Sequence, residues 1–103
     1  MNYIICFILG YLVGTVNPSY FFALKKGFDI RKKGSGNAGA SNAFITMGKS
    51  VGVLCIFLDI LKAYGIIELS TYLFSDEPYA FVVTACACML GHIFPFYMKF
   101  RGG

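Results

Sequence analysis

"YIICFILGYLVGTVNPSYFFAL", residues 3–24, carries no charged side chain, and its reading decides the fold. Wound as a helix rising 1.5 Å per residue, it spans about 33 Å, enough to cross a hydrocarbon core of about 30 Å. A signal peptide is the competing reading. No Lys or Arg precedes the run, the run is too long, and no small-residue cleavage site follows it. Asn17-Pro18 lies inside it and predicts a kink or an early end, with the freed backbone groups met by neighbouring helices or a polar cavity.

The rest of the chain has the same character. Its 103 residues suffice for one small domain, 57% are hydrophobic and only 14% charged, and the mean hydropathy is +0.68. A soluble domain this small needs more polar cover, so the bilayer is the expected solvent. Two further apolar runs follow, about 50–69, interrupted by Asp59 and Lys62, and about 79–98, containing His92 and Pro95. Between them "STYLFSDEP" (70–78) reads as a turn. The sequence therefore predicts an all-α polytopic membrane protein: a single membrane domain, 1–103, with transmembrane helices at about 3–24, 50–69 and 79–98. Lys25, Lys26, Arg31, Lys32, Lys33 and Lys49 fill the first connection and Lys99 and Arg101 follow the third run, whereas the second connection holds Glu68, Asp76 and Glu77. By the positive-inside rule the N-terminus faces out, and residues 25–49 and the chain end face the cytoplasm.

The formal charge of +4 sits beside apolar runs and is not spread over a face. Anionic lipid or a phosphorylated ligand suits that pattern, and nucleic acid does not. Cys6, Cys55, Cys86 and Cys88 all fall in apolar runs without a zinc or redox spacing, and read as small packing residues. One histidine and scattered acids supply no metal-ligand cluster. Nothing in the sequence sets an oligomeric state.

Against this background "KKGFDIRKKGSGNAGASN" (25–42) is oddly polar. Its glycines allow successive backbone N–H groups to turn inward as an anion nest, Ser35, Asn37, Ser41 and Asn42 add hydroxyl and amide contacts, and the cations concentrate phosphates. Gly34, Gly36 and Gly39 match neither a Walker loop nor a dinucleotide loop. A flexible loop whose cations only set topology remains the alternative. Asp59 and Lys62 lie three apart on one helix face. They read either as a self-satisfied ion pair or as the brace of a polar site. His92 reads as a structural histidine or, beside a phosphate, as a proton carrier or phosphate ligand. Gly91 allows close helix approach, Pro95 ends the helix, and Phe94, Phe96, Tyr97 and Phe100 form an interfacial belt.

"DIRKKGSGNAGASN" (29–42), "GKSVGVLCIFLDILKA" (48–63) and "GHIFPFYMKFRGG" (91–103), in that order, resemble the N-terminal half of the acyl-phosphate:glycerol-3-phosphate acyltransferases, a family of integral membrane enzymes of phospholipid synthesis in the cell inner membrane. The resemblance implies a fold of roughly seven helices and transfer of an acyl group from acyl phosphate to glycerol 3-phosphate, giving lysophosphatidic acid and phosphate without a cofactor. It implies Ser35 and His92 as catalytic residues. Gly34, Gly36, Asn37, Gly39 and Asn42 would bind substrate phosphate, with Lys62 at the site and Gly102 and Gly103 opening a second phosphate loop. Ile45 stands where the family's loop continues to an arginine, which makes Lys49 the candidate replacement, and Ala63 stands where a glycine usually follows the lysine. The family's later helices lie beyond Gly103, so the expectation is an N-terminal portion, inactive by itself. The alternative is a small non-catalytic membrane protein that binds phosphate or assembles as an oligomer.

Overall fold

The computed structural model describes residues 1–103 and is entirely helical. Its elements are α1 (Asn2–Gly14), α2 (Pro18–Lys25), a 3-10 turn (Ile30–Lys32), α3 (Ala40–Met47), α4 (Lys49–Leu73), α5 (Ala80–Ile93) and a second 3-10 turn (Phe96–Met98). Three segments are long and apolar enough to cross a membrane: Asn2–Lys25, Lys49–Leu73 and Ala80–Met98. The longest dimension is 44 Å, close to a full bilayer of about 40–45 Å with its headgroups. Large apolar side chains face outward along the spans, including Ile4, Ile8 and Leu12 of α1 and Val53, Phe57 and Ile60 of α4. Such surface is stable only against lipid, and the chain is a multi-pass membrane protein. Of the cysteines, Cys6, Cys55 and Cys88 are buried and Cys86 is exposed.

The first span is two helices. α1 stops at Gly14 and α2 restarts at Pro18, because proline cannot donate to the carbonyl four residues back. Asn17 is the N-cap of α2: its backbone is extended and its side-chain oxygen accepts from Tyr20 N at 3.0 Å. α4 runs on to Leu73, past the expected end near 69, and Ser70 and Thr71 bond back to Ile67 O at 3.0 and 2.9 Å. The turn therefore begins at Phe74.

α1 and α5 run parallel in close contact along small residues. A Cβ on Gly10 would lie 3.0 Å from that of Ala87, one on Gly14 would strike Cys88 O, and one on Gly91 would strike Tyr11 O. Backbones this near gain dispersion contacts that do not depend on a hydrophobic effect, which is absent between helices in lipid. At one end the pair is tied by Asn2 Nδ2 donating to Glu77 Oε1 at 3.0 Å, and at the other by Tyr11 Oη donating to Phe94 O at 2.7 Å. α3 folds back on α4 through Gly48, whose φ of +98° suits glycine, and Gly52 lets α4 meet Phe44.

Replacing Gly14 or Gly91 by Val should force α1 and α5 apart and cost about 1–3 kcal/mol. Gly65, which has nothing within 4 Å of a built Cβ, should accept Ala with little change. Thermal unfolding of the three variants in one detergent checks this.

Candidate functional site

A helix break inside a membrane leaves carbonyls without donors, and the site is assembled on them. Gly14 O would normally receive the N–H of residue 18, which is proline, and Val16 O would receive Tyr20 N, which turns to Asn17 instead. Lys62 of α4 supplies the missing donors. Its Nζ lies 2.6 Å from Val16 O, 3.1 Å from Gly14 O, 3.2 Å from Asp59 Oδ1 and 3.1 Å from His92 Nδ1. Thr15 O accepts from the Tyr97 hydroxyl, so one member of the aromatic belt also serves the break.

Asp59 and Lys62 therefore pair, as one of the two sequence readings has it, and Lys62 ties α1, α4 and α5 together. The expectation for Lys62 is a place at the site, and its ammonium is engaged within the protein on every side. An ammonium has three donors, and here four acceptors already surround it.

The loop hangs from the same break. Asn17 Nδ2 donates to Ala38 O at 2.7 Å with both groups buried. Asn42, also buried, organises the turn from inside: its Oδ1 accepts from Ser35 N at 2.9 Å, and its Nδ2 reaches Ile30 O, Lys33 O and Asn37 O at 3.0, 3.0 and 2.9 Å. Asn42 is thus a brace of the loop, with both its amide atoms engaged inside it. Gly34, at φ +57°, is required because a side chain there would collide with Asn42 and Thr46.

The backbone N–H groups of the loop divide into bonded and open ones. The N–H groups of Ser35, Gly36 and Asn37 are spent on Asn42 Oδ1, Lys33 O and Ser35 Oγ. Those of Gly39, Ala40 and Ser41, at the uncapped start of α3, donate to no protein acceptor. Ser35 and Asn37 are exposed beside them.

His92 and the loop come together across Gly103. A Cβ on Gly103 would strike His92 Nε2 and lie 3.0 Å from Ala38 O. Gly102 and Gly103 themselves give their N–H groups to Ile93 O and His92 O, each at 2.9 Å. They fold back onto the last turn of α5. Lys49 heads α4, exposed and without a side-chain hydrogen bond or ion pair, so nothing joins it to the loop. A groove of about 420 Å³ opens between α4 and α5, with Asp59, Lys62 and His92 among apolar walls such as Ala63, Ile67 and Met89.

Arg31 fastens the loop to the chain's other end. It pairs with Asp29 (Nη2 to Oδ2, 2.8 Å), donates from Nη1 to Met98 O at 2.7 Å and covers the Tyr20 ring at 5.1 Å. Hydrogen bonds from the Arg31 side chain hold the Asp29 carboxyl below its ordinary value. That stabilisation is present above the ordinary carboxylate pKa and is lost as pH falls through the lower folded value.

The cap at Asn17 and the ties made by Arg31 and Tyr97 go beyond the sequence expectations. Asn before Pro at a helix start was the available signal for the first; the other two depend on partners distant in sequence. Asn42→Ala should release Ser35 N from its acceptor and cost at least about 2 kcal/mol. Hydrogen exchange at the Ser35 amide should rise strongly, while α1 and α5 amides stay protected.

The family model for "Glycerol-3-phosphate acyltransferase" matches residues 4–103. The glycerol-3-phosphate acyltransferase of Thermotoga petrophila is 47% identical over 97 residues, covering 93% of this chain and 49% of that protein. That of Aquifex aeolicus is 38% identical over 96 residues, covering 93% and 50%. The crystal structure of PlsY (YgiH), an integral membrane glycerol 3-phosphate acyltransferase, superposes in its glycerol 3-phosphate form with a TM-score of 0.88 at 35% identity, covering 100% of this chain and 52% of that one. Its lysophosphatidic acid form gives 0.85 at 34% identity, covering 100% and 50%. The chain spans about half the length of the curated relatives it matches. With a match along nearly all of its residues, it belongs to the glycerol-3-phosphate acyltransferase family.

Proposed function

We propose that this chain carries the loop-and-histidine half of a membrane enzyme that acylates glycerol 3-phosphate from acyl phosphate, making lysophosphatidic acid for phospholipid synthesis. The observation that carries the reading is the meeting of His92 with the 34–42 loop across Gly103, at the end of the spans where the cations collect. In this reading the N-terminus faces out, and residues 25–49 and the chain end face the cytoplasm, where water-soluble glycerol 3-phosphate meets an acyl chain held in lipid.

The chemistry needs no covalent intermediate. The sn-1 hydroxyl oxygen attacks the acyl carbon, a new C–O bond forms, the bond from that carbon to the phosphate oxygen breaks, and the hydroxyl proton leaves with the departing phosphate. Acyl phosphate is already activated, so alignment and charge stabilisation are what the protein supplies. Ser35 and Asn37 offer exposed polar side chains, Gly36 at φ +81° makes the turn that presents them, and the open N–H groups from Gly39 onward point positive partial charge at an anion. His92 acts on the phosphate from the ring edge that faces the loop. No metal or cofactor enters this scheme.

The test is reconstitution. This chain is co-expressed with the C-terminal half of the Thermotoga petrophila relative, and labelled glycerol 3-phosphate with acyl phosphate is followed into lysophosphatidic acid. Product should require both halves, and Ser35→Ala and His92→Ala should each lower the rate about 100-fold. Undiminished rates in both variants would remove these residues from the site. Phosphate binding with no acylation by any pairing would favour the non-catalytic alternative.

A further inference from the structure

The single histidine of this chain has two ring nitrogens in unlike surroundings. Nδ1 lies 3.1 Å from the Lys62 ammonium. An ammonium only donates, so Nδ1 accepts, and a neutral imidazole that accepts at Nδ1 carries its proton on Nε2. Nε2 lies on the edge that borders Gly103 and, across it, the Ala38 carbonyl of the 34–42 loop.

Lys62 is held firmly enough to impose this choice. Its other acceptors are Val16 O and Gly14 O on the broken first span and Asp59 Oδ1 one turn back on its own helix. Swinging Nζ away from His92 would strip donors from two carbonyls at membrane depth, each costing several kcal/mol when unsatisfied. The ammonium is therefore fixed by the helix break, and the imidazole is fixed by the ammonium. Asp59 is the one acid lining the groove and it faces Lys62, so no carboxylate competes for a proton at Nδ1.

We propose that Lys62 is a positioning residue: it locks His92 as the Nε2–H tautomer and so presents a hydrogen-bond donor, not a base, to a phosphate oxygen on the loop side. The proposal deepens the acyltransferase reading and takes its purpose from it. Its measurement needs no substrate, so the two fail separately.

Because there is one histidine, the chain labelled with [¹⁵N]histidine and placed in lipid nanodiscs gives one pair of ring-nitrogen signals, assigned from their couplings to the ring protons. The wild type near neutral pH should show a protonated Nε2 and a bare Nδ1. Lys62→Met should populate the Nδ1–H form, and Lys62→Arg, which keeps a donor, should return the wild-type pattern. A wild-type ring protonated mainly at Nδ1 overturns the proposal, whether or not the variants fold. A Lys62→Met spectrum identical to wild type overturns it as well.

Discussion

Backbone carbonyls exposed at membrane depth are the constraint on which this structure turns. Pro18 ends the first helix by withholding one N–H, and Asn17 diverts a second by capping α2. In water the freed oxygens would be hydrated at little cost. In lipid they require protein donors, and the chain provides an ammonium from α4 and a phenol from beyond α5. The break thereby specifies which helices are neighbours, with a directionality that apolar packing against similar apolar packing lacks.

The same device links the membrane core to the loop. Asn17 faces two ways, its oxygen capping α2 and its amide nitrogen holding Ala38. Lys62 likewise serves the break on one side and His92 on the other. Asn17, Lys62 and His92 therefore belong to one connected set of polar contacts that runs from the helix break to the loop. Small residues make this reach possible: with Gly14 and Gly91 at the α1–α5 contact, the break, His92 and Lys62 lie within hydrogen-bonding range.

Fold class was legible because the apolar runs are long and the charges between them few, and the family because its three motifs stand in order. The Gly10-x-x-x-Gly14 contact was equally legible as a small-residue repeat, but only its partner Gly91 had been read that way. The roles of individual polar residues were harder to see. An exposed asparagine and a buried one look alike in sequence, and the structure separates Asn37, which faces solvent, from Asn42, which holds four groups of its own loop. Lys62 was visible as a costly charge in a membrane helix; its partners, two backbone oxygens some forty-six residues away, carry no side-chain signature at all.

The way Lys62 meets the break also bears on how the protein enters the membrane. A lysine at the centre of a span costs about 2.5–3.5 kcal/mol to insert, and a helix with bare carbonyls carries a similar burden. Taken one at a time, each span carries a polar group that the other could satisfy. Together they offset each other's polar groups, so the first span is best satisfied in lipid only once Lys62, 46 residues after Val16, has joined it. The polar groups that are costly in either helix alone thus become, in the pair, the contact that makes the two helices neighbours.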